Sequence, residues 1–138
     1  MHHLSNWIEI PVHDIARATA FYERVLGTAL LRAELAGNQY AMFPASNRYN
    51  TGALVEGPGY VPSSQGTLIY LDARGEIDAM LQRVSEAGGS VLLPRTPLSE
   101  EAGEVALFLD SEGNRVGLQN ALVASAEVAD ETMQALLA

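Results

Sequence analysis

The side chains of this sequence that could do chemistry are few, and their types exclude several kinds of catalysis. The chain has no cysteine, so thiolate nucleophiles, thiolate metal ligands and disulfides are excluded. It also has no lysine, so no side-chain amine can form a Schiff base. The histidines are His2 and His3, an adjacent pair near the N-terminus, and His13, which follows the first predicted strand. We expect structural or solvated roles for all three histidines.

Glu9 is the main candidate for acid–base chemistry or for direct contact with a ligand. It alternates with Trp7 along the first predicted strand, so both side chains are expected on one face. A carboxylate beside an indole, in a partly dry site, suits a general base or a polar ligand contact. The alternative is a structural ion pair between Glu9 and Arg115 or Arg48, and the sequence leaves both interpretations open.

The elements that would position these residues occur twice along the chain. Ile15 and Ile77 are 62 residues apart, and so are Gly27 and Gly89. Each half reads as a strand, an amphipathic helix ended by glycine, and three more strands. A single internal repeat of this size indicates two copies of one supersecondary unit.

The boundaries follow from apolar periodicity and from turn residues. The first unit is predicted to have strands at 7–12, 28–35, 39–43 and 51–55 and a helix over 15–26. In the second unit, strands are predicted at 67–71, 90–93, 104–109 and 115–119 and a helix over 77–87, with Pro94 ending its second strand. Phe21 and Tyr22 fall on the apolar stripe of the first helix and are expected in the core.

We expect one domain over residues 1–138, made of a first module (5–56), an ordered crossover (57–66), a second module (67–120) and a tail (121–138). The tail is predicted to be partly helical, with Asp130 as a cap and apolar Met133, Leu136 and Leu137 on one side. That apolar side requires a surface to dock on, either on the same chain or on a second copy.

The charge and hydropathy of the chain limit the classes of partner that it can bind. The formal net charge of −9 and the absence of a basic stripe make nucleic acid an improbable partner. An acidic field favours cationic small molecules, but many soluble proteins are acidic for solubility alone, and this is the preferred interpretation of the charge. No apolar run is long enough to span a membrane, and the N-terminus lacks the pattern of a signal peptide, so a cytoplasmic location is expected.

Two strings carry a family resemblance: Ile10-Pro11-Val12-His13-Asp14-Ile15 followed by Ala20-Phe21-Tyr22 and Leu26-Gly27, and the later Asp110-Ser111-Glu112-Gly113-Asn114-Arg115-Val116-Gly117-Leu118. Over about residues 6–120 the chain resembles the vicinal oxygen chelate superfamily. That superfamily includes glyoxalase I, bleomycin-resistance proteins and extradiol dioxygenases. The resemblance implies an α+β fold in which two βαβββ modules form a U-shaped eight-stranded mixed sheet with helices on its outer face. It also implies a ligand cavity and a homodimer.

Enzymes of that superfamily hold a divalent metal with residues of the first and last strands of each module. Carried over to this sequence, those positions fall on Trp7, Thr67, the neighbourhood of Ala53, and Gly117, none of which is a suitable ligand. A shift of two residues along the strands recruits only Glu9 and Gln119, and Glu56 should face away from the site. We therefore expect neither the usual metal site nor another cofactor.

The residues expected to line the cavity are mixed aromatic, apolar and polar, which suits a small organic ligand. The set is Trp7, Glu9, Tyr40, Met42, Thr67, Ile69, Arg115 and Gln119. Tyr60, in the crossover, could cover the cavity or contact a dimer partner.

Three functions remain open at this point. The first is a metal-independent binding domain for a small organic molecule, similar to the bleomycin-resistance proteins. The second is a lyase or dioxygenase with displaced metal ligands, namely Glu9, Gln119 and Glu56 of a second copy. The third is a partner-binding module that uses the apolar tail.

Overall fold

In the computed structural model of the chain, residues 5–44 and 52–121 are described. Both modules have the predicted order of elements. The first module contains β1 (Ile8–Pro11), α1 (Ile15–Leu26), β2 (Leu31–Leu35), β3 (Asn38–Met42) and β4 (Gly52–Glu56). The second contains β5 (Tyr70–Asp72), α2 (Ile77–Glu86), β6 (Ser90–Ser99), β7 (Gly103–Leu109) and β8 (Arg115–Asn120). The predicted tail helix and Arg48 lie outside the described residues.

The helix signals in the sequence are confirmed at α1. Asp14 is its N-cap, and its carboxylate accepts from the backbone N–H of Arg17 at 3.0 Å. The helix ends at Gly27, whose φ of +71° is the left-handed conformation that glycine adopts readily. In α2, which starts after Glu76, no side chain of the described residues caps the N-terminus.

The strands form two four-stranded mixed sheets, which confirms the predicted α+β fold with two βαβββ modules. Sheet 1 has the order β1-β4-β3-β2 and sheet 2 the order β5-β8-β7-β6. In each sheet the first and last strands of a module pair in parallel, and the other pairs are antiparallel.

One hydrophobic core joins the two modules. Phe21 and Tyr22 on α1 are buried as predicted, and the Phe21 ring lies 6.1 Å from that of Phe108 on β7. The helices also contact each other, with an ion pair of 2.7 Å between Arg24 and Glu86 at the surface. Because the helices lie on the core side of both sheets, each sheet has a second face that is turned away from the helices.

Three predicted strand boundaries are wrong, including the start of β5, which is Tyr70 and not Thr67. The strand expected at 28–35 begins at Leu31, because the Leu30 N–H donates to the Glu23 carboxylate at 2.8 Å and stays with the helix end. Pro94 does not end β6, which continues to Ser99. β6 is the edge strand of sheet 2, where a residue without an N–H costs no ladder bond on the outer side, and its pairing with β7 shifts register near this proline.

The turn between β7 and β8 ties the second module to the first. The Glu112 carboxylate, whose side chain is 0% exposed, accepts from the backbone N–H groups of His13 and Asp14 and from the Arg17 guanidinium at 2.8–2.9 Å. The Asn114 amide donates to the carbonyl of Pro11 at 2.8 Å. This turn therefore fixes the position at which β1 ends and α1 begins.

A second buried contact of the same turn involves Tyr22. Its hydroxyl donates to Asp110 at 2.6 Å, and burial, together with the Asp110 charge, raises the pKa of Tyr22 well above its ordinary value. Tyr22 therefore stays protonated and remains a donor.

We predict that Glu112 makes the folded state sensitive to acid. Burial raises the pKa of its carboxyl, but the hydrogen bonds from Arg17, Asp14 and Ser111 outweigh burial and lower the pKa from 4.5 to about 2. The native state therefore binds fewer protons than the unfolded state. Its stabilisation is present above pH 4.5 and is lost as the pH falls towards about 2.

Glu112→Gln should lower the free energy of unfolding at pH 7 by about 1–3 kcal/mol, because buried donors lose a charged acceptor. Urea denaturation between pH 7 and pH 3 measures both effects. The control is Arg24→Ala, which removes an exposed ion pair and should cost less than about 1 kcal/mol. Equal losses for the two variants, or an unchanged acid dependence in Glu112→Gln, would contradict the assignment.

Candidate functional site

The face of sheet 1 that is turned away from α1 carries the residues expected to contact a ligand. We call it open face 1. Ile10, Ala41 and Leu54 point into the core, so their neighbours along the strands point to open face 1. Cross-strand pairing places Glu9 beside Ala53, Ala53 beside Met42, and Tyr40 beside Val55. One face of sheet 1 therefore carries Glu9, Tyr40 and Met42, as their alternation along the strands predicts.

Glu9 lies at the centre of an aromatic group on this face. Its carboxylate accepts from the Trp7 indole N–H at 3.2 Å through Oε2 and from the Tyr60 hydroxyl at 2.7 Å through Oε1. Glu9, Tyr40 and Tyr60 are half-buried, and Trp7 is 39% exposed. We call Trp7, Glu9, Tyr40 and Tyr60 the aromatic–carboxylate cluster.

The crossover brings Tyr60 to this face. The Tyr60 N–H donates to the Gly57 carbonyl at 3.1 Å, which closes a turn directly after β4. Gly57 also packs against the Asn38 side chain so closely that a Cβ there would overlap the amide oxygen. The crossover is thereby held against the start of β3, with Tyr60 over Glu9.

No definite role is predicted for Tyr60 from the sequence, in contrast to Glu9. Its hydrogen bond to Glu9, followed by burial and by the Glu9 charge, raises the pKa of Tyr60 to about 12. Tyr60 therefore stays protonated at neutral pH and donates to the carboxylate. Its signal in the sequence was an aromatic residue in a crossover stiffened by Pro58 and Pro62.

The expected ion pairs of Glu9 are not its partners in the described part of the chain. No contact joins Glu9 to Arg115, which lies on β8 of the other sheet, and Arg48 is outside the described residues. The Glu9 carboxylate is held by two neutral donors instead.

The corresponding face of sheet 2, which we call open face 2, carries Arg115, Gly117 and Gln119. Val116 and Leu118 alternate with them and lie in the core. The Gln119 side-chain N–H donates to the Ala102 carbonyl at 2.8 Å. The Tyr70 ring lies across Gly117 so closely that a Cβ on residue 117 would overlap it.

Thr67 and Ile69 are not brought together with the other expected lining residues. Both precede β5, which begins at Tyr70 and not at Thr67, and Ile69 packs against the core on the helix side. The residue that pairs with Gly117 is Tyr70. The link from β5 to α2 is one residue longer than the link from β1 to α1, and a shift of one residue reverses the face of every side chain in a strand.

The residues present do not fit the divalent metal that the resemblance implies. At the carried-over positions, Ala53 and Gly117 offer no donor, and the Tyr70 ring covers Gly117. Glu9 is engaged by Trp7 and Tyr60. Within residues 5–44 and 52–121, no three histidine or acidic side chains lie close enough together to hold a metal ion.

Glu56 and His13, two further residues considered for the site, lie outside the aromatic–carboxylate cluster. The Glu56 carboxylate accepts from the Ile15 N–H at 2.8 Å, at the start of α1, which confirms that it faces away from open face 1. His13 has an exposed side chain.

A cavity of about 340 Å³ lies on the helix side of sheet 2, away from the predicted site residues. It is lined at the start of α2 by Asp78, Arg95, Glu104 and Asn120, among others. Arg95 bridges Asp78 at 3.1 Å and Glu104 at 2.8 Å, so these charges pair with one another. This arrangement joins α2 to β6 and β7.

Comparison with known proteins follows this geometry. Residues 4–118 match the model of the Glyoxalase/Bleomycin resistance protein/Dioxygenase superfamily, and the chain therefore belongs to that family. Comparison with curated proteins gives no significant match. Among the described residues, no helix is long and apolar enough to cross a membrane.

Solved structures with the same fold have low sequence identity to this chain. A glyoxalase/bleomycin resistance protein/dioxygenase family enzyme from Burkholderia phytofirmans PsJN has a TM-score of 0.63 and 17% identity over 85% of this chain and 98% of its own. A glyoxalase/bleomycin resistance protein from Albidiferax ferrireducens T118 has a TM-score of 0.63 and 16% identity over 86% and 99%.

An E144Q mutant of glyoxalase I from Zea mays has a TM-score of 0.61 and 22% identity, and it covers 83% of this chain. The matched part is only 45% of the maize chain. At these identities the likeness establishes the fold.

We predict that Gly117 is required for the position of Tyr70. Gly117→Ala should lower the free energy of unfolding by about 1–3 kcal/mol, because the added methyl group overlaps the ring. In a Tyr70→Ala background the same change should cost much less. Urea denaturation of the two single variants and the double variant measures this coupling. Strictly additive losses would show that the ring does not lie over Gly117.

Proposed function

We propose that the chain binds a small organic molecule on open face 1 without a metal ion. The observation that carries the proposal is the half-buried Glu9 carboxylate on the edge strand β1, held between the Trp7 indole and the Tyr60 hydroxyl. Convergent polar groups among aromatic walls are typical of small-molecule sites.

The floor and walls of this site are suited to an organic ligand. Ala53 and Val55, at the centre of sheet 1, are completely buried beneath the face. Tyr40 and Met42 lie beside them and add aromatic and flexible apolar surface. The ligand would therefore contact Tyr40 and Met42, which cover the buried Ala53 and Val55, and Glu9 beside them, and Arg115 and Gln119 on open face 2 remain candidate contacts.

The metal-dependent lyase or dioxygenase is the less favoured alternative. Its two displaced ligands would be Glu9 and Gln119, which lie on different sheets and already have other hydrogen-bond partners. Two ligands would also leave most positions around a divalent ion to water. We propose no cofactor.

Metal content and ligand binding can be measured on the same preparation. Protein purified without a chelator should contain far less than one divalent metal ion per chain by plasma mass spectrometry. Phenethyl alcohol should change the fluorescence of Trp7, the single tryptophan, and binding should survive dialysis against EDTA. Tyr60→Phe should weaken this binding about threefold to tenfold, because Glu9 loses one of its positioning donors.

Glu34→Gln is the control for a substitution on the same sheet. Glu34 is exposed, and its strand neighbours Ala33 and Leu35 point to open face 1, so Glu34 points away from that face. It should bind as the natural chain does. A stoichiometric metal ion whose removal abolishes binding would overturn the proposal in favour of the enzyme.

We also propose that the chain is a homodimer that covers open face 1. Leu31 and Leu35, on the edge strand β2, are 67% and 53% exposed, and pairing places Leu31 beside Met42 on this face. Contiguous exposed apolar surface of this kind is typical of an interface. A second copy would enclose the cluster and complete the cavity. The cytoplasmic location stays a prediction from the sequence.

Light scattering after gel filtration tests the dimer. The natural chain should have twice the mass of the 14.8 kDa chain, and Leu31→Glu should shift it to the monomer, because a charge would be buried at the interface. Arg32→Glu, on the opposite face of the same strand, is the control and should leave the dimer intact. A natural chain that is monomeric at all concentrations would rule out this assembly.

A further inference from the structure

We infer that the ligand of open face 1 is an organic cation, with its charged nitrogen held by Glu9 and the aromatic rings of Trp7, Tyr40 and Tyr60. This inference rests on the proposed function, since it names the chemical class of the molecule bound at that site. Primary amines and quaternary ammonium compounds with an apolar body belong to this class.

The first argument is the charge of Glu9. Its two hydrogen-bond donors, the Trp7 indole and the Tyr60 hydroxyl, are neutral, so they orient the carboxylate without neutralising it. In residues 5–44 and 52–121, Glu9 forms no ion pair with an arginine or a histidine. Each carboxylate oxygen can accept a further hydrogen bond, so a ligand N–H can still reach the charge.

The contrast with the two shielded carboxylates that pair with arginine supports this inference, although Asp110 and Glu56 are, like Glu9, held by neutral donors. The half-buried or buried carboxylates of Glu104 and Glu112 each accept from an arginine at 2.8 Å. Both serve to join elements of the fold. Glu9 is also half-buried, but its charge is balanced by no described side chain, which is costly unless a ligand or solvent supplies the balance.

The second argument is the set of rings around the carboxylate. Aromatic faces attract cations through the electrostatic quadrupole of the ring, and tryptophan does so most strongly. Trp7 and Tyr60 are fixed by their hydrogen bonds to Glu9, and strand pairing places Tyr40 on the same face of sheet 1. A carboxylate with several rings therefore favours a nitrogen cation over a neutral group.

The third argument is the field of the whole chain. The net charge of −9 raises the local concentration of cations and lowers that of anions. The raised pKa of Tyr60, about 12, also keeps its proton on the phenol at neutral pH, so Tyr60 adds no charge to the cluster. An anionic ligand would meet repulsion from Glu9 and from the chain.

Three probes of similar shape and different charge test the inference. Phenethylamine, phenethyl alcohol and phenylacetate carry charges of plus one, zero and minus one at pH 7. Isothermal titration calorimetry and Trp7 fluorescence should give at least a tenfold higher affinity for the amine than for the alcohol, and the weakest binding for the acid. The advantage of the amine should shrink as the salt concentration rises.

Variants separate the charge of Glu9 from the rest of the face. Glu9→Gln should remove the advantage of the amine over the alcohol, whereas the charge-matched control Glu34→Gln should keep it. Both variants change the net charge equally, so a difference between them belongs to the site. Circular dichroism and urea denaturation check that Glu9→Gln folds.

The outcomes also separate this inference from the proposed function. If the alcohol or the acid binds as tightly as the amine, the organic cation is wrong and the small-molecule site stands. If none of the three probes binds, the proposed function itself fails. A tenfold gain in amine affinity on Arg48→Ala would also contradict the inference, because Arg48 would then be the counter-charge of Glu9.

Discussion

The buried Glu112 carboxylate is the interaction on which the arrangement of the two modules depends. It brings together two backbone N–H groups at the end of the first strand and a guanidinium on α1, all from the other module. Asp110 and Asn114 of the same turn bind Tyr22 and Pro11. These polar contacts between the halves are all made by this one turn, the Arg24–Glu86 ion pair is a further one, and the apolar contacts lie in the common core.

Because these contacts lie on the helix side of the sheets, the face of each sheet that is turned away from the helices remains available for binding. The helix side of both sheets carries the common core. Near the cavity on the helix side of sheet 2, Arg95 forms ion pairs with Asp78 and Glu104. Open face 1 carries Glu9 among aromatic side chains, and on open face 2 the Tyr70 ring covers Gly117. At the positions where the family resemblance implies metal ligands, this chain has the small residues Ala53 and Gly117, and the Tyr70 ring covers Gly117.

The sequence predicted the fold well because the repeat and the cap residues are local signals. Asp14, Gly27 and the spacing of Ile15 and Ile77 define both helices, and the chain has the predicted order of strands. Glu9, Tyr40 and Met42 were placed on one face correctly, because alternation along a strand decides the face.

The errors arose where the signal is not local. Ile69 was assigned to the wrong face because the one extra residue between β5 and α2 cannot be seen from the strand itself. Tyr60 could not be assigned because its partner Glu9 is 51 residues away along the chain. Pro94 was read as a strand end, although whether a proline is tolerated depends on the strand being at an edge.

The proposed function depends on the Glu9 carboxylate, held by the Trp7 and Tyr60 donors, binding an organic molecule without a metal ion. A crystal structure of the chain purified without chelator and soaked with phenethylamine tests it most directly. The account predicts density for the amine nitrogen against the Glu9 carboxylate, between the Trp7 and Tyr60 rings. A divalent cation coordinated by Glu9 and Gln119, with no amine at that position, would contradict it.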